Sequence, residues 1–157
     1  MRDTGFVPKI KLWEFEGNVY IWRFLGRRKF MSGWHFVATE PALKSLLALV
    51  EIMLAEPSRA RKRIPLSPPS QEIVYYAHGH DWPWEPASEL YLALADEETT
   101  EPWKLQLDKG TLCLTCDTAH MRKLKESLED QLKGEDDFCI WPSNGHPRFE
   151  PMTLWFW

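Results

Sequence analysis

The residues best suited to chemistry are the two histidines and the aspartate of the segment HGHD, at His78, His80 and Asp81. Two imidazoles separated by one residue and followed by a carboxylate are a ligand set that zinc accepts, and Gly79 lets the backbone bend around an ion. With an open fourth position, such a zinc ion would activate water for hydrolysis. The segment therefore predicts a metal site, but the motif is not specific for one, because short groupings of His and Asp are common in polar loops.

A second grouping with the spacing of a reactive motif is Cys113-x-x-Cys116. Redox motifs of this form lie at a helix start, where the dipole lowers the thiol pKa, whereas these cysteines fall in a predicted strand. Side chains three residues apart in a strand point to opposite faces, so the pair is not expected to converge. We interpret Cys116 as an inert core residue, since an unpaired cysteine behaves as a small hydrophobe.

Two tryptophans, Trp82 and Trp84, follow HGHD directly in a proline-stiffened loop. A loop that presents two indole rings could form a ligand platform or an interface hot spot. The same loop could instead fold back and cover the edge of a sheet, since a loop tryptophan is either an anchor or a core residue. The sequence leaves both alternatives open.

The first long helix predicted from the sequence carries more apolar surface than one buried face needs. It begins after an N-cap at Thr39 and ends near Ala55, before Pro57. Leu49 and Ile52 lie well off its main apolar stripe, so the helix is expected to be covered on a second side. Either the long loop that follows or another chain covers it. Leu49, Ile52, Trp82 and Trp84 are therefore the predicted partner-binding residues, and a homodimer is one form of that prediction.

Composition restricts the function further. Nine tryptophans in 157 residues are several times the usual content and favour an aromatic core. The net charge is −4, with +6 in residues 1–70 and −10 in residues 71–157, which gives no support to nucleic-acid binding. No apolar run is long enough to span a bilayer, and Met1–Lys11 lacks the apolar region of a secretory signal. With three cysteines, these features predict a cytoplasmic protein.

The alternation of apolar and polar residues predicts the remaining elements. Around Gly17 and Asn18, a hairpin is expected to pair two aromatic strands on one face. A second hairpin is expected around Lys109 and Gly110, and Asp117 caps a second helix. The predicted strands are 10–15, 19–25, 33–39, 72–77, 89–95, 103–108, 111–116, 138–141 and 153–157, and the predicted helices are 39–55 and 117–133.

These elements predict one α+β domain over residues 1–157, a mainly antiparallel sheet with two helices packed on one face. The segments FVATEPALKSLL and LTCDTAHMRKLK share a strand-to-capped-helix design at a separation of 78 residues. This likeness suggests a duplicated strand-strand-helix unit, with halves 1–57 and 72–133 joined by a loop at 58–71. The alternative is that any hairpin followed by a helix shows this pattern. The aromatic stripe of the first hairpin would then face the helices.

Three hypotheses for function follow. The leading one is a small non-enzymatic protein that acts by binding another protein, and a small acidic inhibitor of the immunity type, which caps a toxin, fits that description. The second is a metal-dependent hydrolase centred on His78, His80 and Asp81, with zinc as its cofactor. The third is a small-ligand-binding module whose aromatic site uses Trp82 and Trp84. No family resemblance supports any of them.

Overall fold

The computed structural model describes residues 8–25, 32–78, 82–95, 102–135, 138–141 and 152–157. The helices are α1 (Lys9–Leu12), α2 (Glu40–Ala55), α3 (Gln71–His78) and α4 (Thr118–Leu132), with a 3-10 turn at Pro57–Arg59. The strands are β1 (Val19–Phe24), β2 (Trp34–Ala38), β3 (Arg61–Pro65), β4 (Trp84–Pro86), β5 (Glu89–Leu94), β6 (Trp103–Asp108), β7 (Thr111–Cys116), β8 (Phe138–Ile140) and β9 (Leu154–Phe156).

The strands form two mixed sheets. The first sheet has the order β4-β1-β2-β9-β8 and the second has the order β3-β5-β7-β6. The pairs β2-β9 and β5-β7 are parallel, and the other neighbours are antiparallel. The fold is therefore mixed α/β with two sheets and four helices in the described residues, so the expectation of one mainly antiparallel sheet with two helices is wrong in detail. Both parallel pairs join segments far apart in the sequence, which no local pattern encodes.

When α3 and β4, which lie between β3 and β5, are left out, the order strand-strand-helix-strand-strand occurs twice along the chain. The first series is β1, β2, α2, β3 and β5, and the second is β6, β7, α4, β8 and β9. The last strand of each series pairs with the other series: β5 adds to β7, and β9 adds to β2. The predicted loop at 58–71 thus contains a strand, β3, which belongs to the first series and does not separate two halves.

The main core lies between the two sheets and the packed helices α2 and α4. It encloses an entirely apolar cavity of about 20 Å³ lined by both sheets and both helices, about the room of one water molecule without polar partners to hold it. Residues that line it from different elements include Ile21, Val50, Leu92, Leu114 and Leu128. Among the described residues, no helix is long and apolar enough to cross a membrane.

Several predicted elements are confirmed where local signals are strong. The helix predicted after Thr39 is α2, and the helix after Asp117 is α4. Asp117 Oδ1 accepts hydrogen bonds from the backbone N–H and ring Nδ1 of His120, both at 2.8 Å. Burial raises the pKa of Asp117, but these bonds and the charges of His120 and Lys123 outweigh burial and lower it. The β6-β7 hairpin turns at Lys109 and Gly110, both with positive φ, as a two-residue type I′ turn requires.

Two predicted strands are wrong. Residues 10–15 do not pair with β1, because β2 and β4 occupy both of its edges. Instead the short α1 and the following extended segment pack on α2, where Trp13 Nε1 donates to the carbonyl oxygen of Ser45 at 2.7 Å. Residues 72–77 form most of α3, because Ser70 Oγ caps the backbone N–H of Ile73 at 3.2 Å and Pro68 and Pro69 precede it.

Candidate functional site

The outer face of the first sheet carries a layer of aromatic side chains that is separate from the main core. We call it the aromatic layer; its members are Tyr20, Trp22, Phe24, His35, Trp82, Trp84, Trp155 and Trp157. Val19 and Ile21 alternate with these residues along β1 and lie in the main core. The expectation that the aromatic stripe faces α2 and α4 is therefore wrong. Both faces of this sheet are covered, so its aromatic side packs under α3 instead.

His35 lies fully buried at the centre of the aromatic layer. Its ring stacks on Trp22 at 5.7 Å between centroids, and on Trp157 at 6.0 Å. Trp157 Nε1 donates a hydrogen bond to His35 Nδ1 at 3.0 Å. Because an indole N–H only donates, this nitrogen is the acceptor and a neutral ring carries its proton on Nε2. The imidazole is thus held in one orientation by aromatic residues of β1 on one side and by Trp155 and Trp157 at β9 on the other.

Trp22 presents an unusual polar atom in this layer. The residue has no exposed surface, and within the described residues its Nε1 has no hydrogen-bond partner. An unsatisfied buried donor costs about 1–3 kcal/mol, and native structures rarely retain one. Other indoles find acceptors: Trp103 bonds the carbonyl oxygen of Met152 at 2.6 Å, and Trp155 that of Ser32 at 2.8 Å. The Trp22 N–H therefore distinguishes the layer from ordinary aromatic packing.

Helix α3 covers this layer and presents two tyrosines on its other side. Val74 is fully buried against the layer, and Ile73 and Ala77 are partly buried there. Tyr75 and Tyr76 are 55% and 88% exposed. We call these two residues the tyrosine pair. The helix is thus fixed on one side by the sheet and displays two large amphipathic rings on the other.

The predicted binding residues Trp82 and Trp84 lie at the border of this helix, and both are half-buried. Trp82 packs edge-on against Phe24, with centroids 5.2 Å apart and planes at 88°. Trp84 is the first residue of β4, and its Nε1 donates to Gln71 Oε1 at 3.2 Å. The loop therefore covers the edge of the sheet through β4, and each indole keeps an exposed part, while the ligand-platform and hot-spot alternatives remain predictions.

The other two predicted partner-binding residues lie elsewhere. Leu49 is fully buried in the main core, and Ile52 is half-buried against it. The structure brings neither residue to the aromatic layer. The segment after α2 also contributes to this core, since Ala60 and Ile64 are buried in it. Leu49 thus has no surface to offer a partner, which agrees with the alternative in which the following segment covers this side of the helix.

The predicted metal site falls mostly outside the described residues. His78 ends α3, but its side chain is not among the described ones, and His80 and Asp81 lie outside the described ranges. Within the described residues, no three His, Cys, Asp or Glu side chains form a group that could hold a metal ion. The zinc site at His78, His80 and Asp81 therefore remains a prediction.

The cysteines take the structural role expected from their spacing. Cys116 is buried in the main core, and Cys113, half-buried, lies on the opposite face of β7. Burial, helped by the negative charge of Asp117, raises the pKa of Cys116 to about 12. Burial also raises the pKa of Cys139. Raised thiol pKa values leave these two side chains protonated and poorly nucleophilic at neutral pH.

Sequence reasoning missed His35 and the tyrosine pair. Trp34 and Phe36 face the main core, so His35 between them points to the opposite face of β2. The sequence does not show that this second face is also covered, so it does not predict that His35 is buried. The tyrosine pair was missed because residues 72–77 were interpreted as a strand. The spacing of Ile73, Val74 and Ala77 behind Ser70 was the available signal, since it fits one face of a capped helix.

No family model, no curated protein and no solved structure matches this chain.

Proposed function

We propose that this chain is a non-enzymatic protein that acts by contact with another protein, and that the contact is centred on the tyrosine pair of α3. The observation that carries the proposal is the two-sided arrangement of this helix. Val74 anchors it on the aromatic layer, while Tyr75 and Tyr76 project into solvent. Tyrosine is enriched at interface hot spots.

A fixed helix makes this surface suited to binding. Tyrosine offers a large amphipathic area and has few rotatable bonds to immobilise. The underlying sheet already orders the helix backbone, so association loses less conformational entropy than binding by a mobile loop. The half-buried Trp84, bonded to Gln71 in the first turn of α3, extends the aromatic surface at one end. Glu72, exposed in the same turn, gives it an acidic rim.

The partner that fits this surface presents an apolar groove with basic residues around it. That chemistry agrees with the net charge of −10 in residues 71–157 and with an acidic inhibitor or immunity-type protein. The fold by itself does not support a function more specific than binding another protein.

The test is capture of a partner from lysate of the source cells by the tagged protein. Tyr75→Ser/Tyr76→Ser is the test variant, and Leu12→Ser is the matched control, because Leu12 is 65% exposed on α1, outside this surface. A near-stoichiometric partner retained by the wild type and by the control, but lost by the test variant, supports the proposal. Equal retention by all three proteins places the contact elsewhere, and the absence of any partner counts against the function.

A second candidate function is a small-ligand-binding module, because the unpartnered Trp22 N–H favours it. A planar ligand with one hydrogen-bond acceptor would satisfy this donor and stack in the aromatic layer. Ligand-observed NMR with a library of planar heterocycles tests the idea. A ligand bound by wild type and by Trp141→Phe, but not by Trp22→Phe, supports it, and loss in Trp84→Ala would add that residue to the site. Binding unaffected by Trp22→Phe contradicts it.

The metal-dependent hydrolase centred on His78, His80 and Asp81 is the third proposal. Metal analysis of the purified protein tests it directly. Stoichiometric zinc that is lost in His80→Ala would support the site, whereas a metal-free and fully folded wild type would remove it.

We also propose that the two strand-strand-helix-strand-strand series descend from one duplicated unit. The strand order, which matches when α3 and β4 are left out, and the reciprocal pairing of β5 with β7 and of β9 with β2 support this proposal. Thr39 and Asp117 occupy the same position, directly before α2 and α4. A relative that contains one such series and assembles as a twofold dimer with exchanged strands would strengthen it. Homologues in which only one series keeps this order would weaken it.

A further inference from the structure

The outer edge of β6 differs from the other sheet edges of the described structure. The strands β4 and β8 have only three residues each, and β3 ends in Pro65. Short strands and proline are devices by which proteins protect an edge from pairing. By contrast, β6 has six residues without proline, and no strand of the described ranges pairs with its outer edge.

The hairpin geometry fixes which backbone groups point outward from β6. Residues at both sides of a two-residue turn form a hydrogen-bonded pair, and such pairs then alternate along the hairpin. The hydrogen bond from the Asp117 N–H to the Pro102 carbonyl oxygen, at 2.8 Å, continues this alternation to the far end of the hairpin. Even-numbered residues of β6 therefore bond to β7, and Leu105 and Leu107 direct their N–H and C=O groups to the outer edge.

The side chains of β6 are arranged symmetrically around Gln106. Lys104 lies two residues before it and Asp108 two residues after it, all on the face away from the core, while Leu105 and Leu107 face the core. An antiparallel copy centred on Gln106 would therefore place Lys104 opposite Asp108 and Leu105 opposite Leu107. The strand is thus complementary to itself in both charge and hydrophobicity.

We propose that β6 is a dimerisation edge that pairs antiparallel with β6 of a second copy, about a twofold axis through Gln106. Leu105 and Leu107 exchange backbone hydrogen bonds across the axis. Lys104 and Asp108 face each other at non-hydrogen-bonded positions, where side chains approach most closely. The second sheet then continues from one protomer into the other, and the edge of β6 that pairs with no strand of the described ranges is covered.

The first sheet provides an internal precedent for this arrangement. The strand β1 occupies the position in its series that β6 occupies in the second series, and β4 pairs with the outer edge of β1. In the proposed dimer, the second copy supplies the corresponding strand to β6. The interface lies on the second sheet, whereas α3 packs on the first sheet, so the proposal is independent of the function assigned to the tyrosine pair.

The first experiment measures oligomeric state by sedimentation equilibrium over a wide concentration range. Wild type is expected to approach twice the monomer mass of 18.5 kDa. Lys104→Glu and Asp108→Lys each place like charges opposite one another and should raise the dissociation constant at least about tenfold, whereas Lys104→Asp/Asp108→Lys restores complementarity and dimerisation. Arg122→Glu, an exposed charge reversal on α4, is the control and should dimerise as wild type does.

The second experiment tests the register by disulfide trapping. In the proposed dimer, residue 106 faces its own copy at a distance of about 4.5 Å between Cα atoms, which a disulfide can span. The background is Cys113→Ser, because Cys113 lies opposite Gln106 across the hairpin. In that background Gln106→Cys should form a reducible dimer, while Lys104→Cys, displaced from the axis, should not.

Circular dichroism of each variant confirms that it is folded before these comparisons are made. Selective trapping through residue 106 and rescue by the charge exchange together support the interface. A wild type that is monomeric at all concentrations overturns the proposal. So does a dimer that is insensitive to the single charge reversals, or trapping that is equal at positions 104 and 106.

Discussion

At the residue scale, the aromatic layer shows how packing decides the role of a side chain. Trp22 and Trp103 are equally buried tryptophans, yet Trp103 donates to the Met152 carbonyl oxygen and Trp22 Nε1 has no acceptor among the described residues. The ring of Trp22 contributes apolar burial and stacking on His35, whereas its N–H opposes stability. The two parts of one side chain can therefore be separated by mutation.

Substitution of Trp22 tests this separation. Trp22→Ala should reduce the free energy of unfolding by about 3–5 kcal/mol, because it removes a fully buried ring. Trp22→Phe keeps an aromatic ring and removes the unpaired donor, so its cost should be much smaller. Urea denaturation of the three proteins measures both values. A loss for Trp22→Phe close to that for Trp22→Ala would contradict an unpaired N–H, because removing a satisfied donor also removes its hydrogen bond.

At the element scale, close backbone contacts fix the junction between the two series. Trp34 N–H donates to the Thr153 carbonyl oxygen at 2.8 Å, directly before β2 and β9 begin their parallel pairing. Gly33 precedes this contact with a φ of +96°, and a Cβ at this position would lie 2.3 Å from the same carbonyl oxygen. The junction therefore requires glycine for conformation and for space.

Gly33→Ala should consequently destabilise the protein by more than about 1 kcal/mol. The matched control is Gly134→Ala, since Gly134 has a φ of +88° but, apart from its chain neighbours, no atom of the described residues within 4 Å of the position that a Cβ would occupy. The loss of stability in Gly134→Ala measures the conformational strain alone. The additional loss of stability in Gly33→Ala measures the steric contact with Thr153. Thermal denaturation followed by circular dichroism gives both values. An equal loss would mean that β9 can move away from β2.

At the scale of the whole molecule, the exchanged strands β5 and β9 tie the two sheets into one structure. The parallel pairs β2-β9 and β5-β7 each join one series to the other, and both sheets contribute to the same core. Neither series can keep its sheet when the other unfolds. This connectivity is typical of a single cooperative unit.

We therefore expect one unfolding transition, with labelling of Cys116 as its reporter. This thiol is fully buried and its pKa is raised to about 12, so alkylation near pH 8 should require exposure. In a Cys113→Ser/Cys139→Ser background, labelling should follow the denaturation curve obtained by circular dichroism. Labelling at lower denaturant concentration would show that the second sheet opens independently, against the expectation of a single cooperative unit.

The sequence by itself determined the elements whose signals are local. The turn at Lys109 and Gly110 and the cap at Asp117 act within a few residues, so the β6-β7 hairpin and α4 were predictable. The predicted partner-binding residues do not lie together: Trp82 and Trp84 lie in the aromatic layer, whereas Leu49 is buried in the main core. The apolar periodicity of α2 indicates that a second side of this helix is covered, but it does not identify the segment or chain that covers it.

Only the tertiary structure decided the pairing of the strands and the faces that they bury. The aromatic stripe of β1 could pack against α2 or away from it, and the choice depends on α3 covering the outer face. The tyrosine pair became visible only when residues 71–78 proved helical. The physical reason is that strand pairing and helix docking are set by contacts between residues far apart in the chain, and propensity contains no information about those contacts.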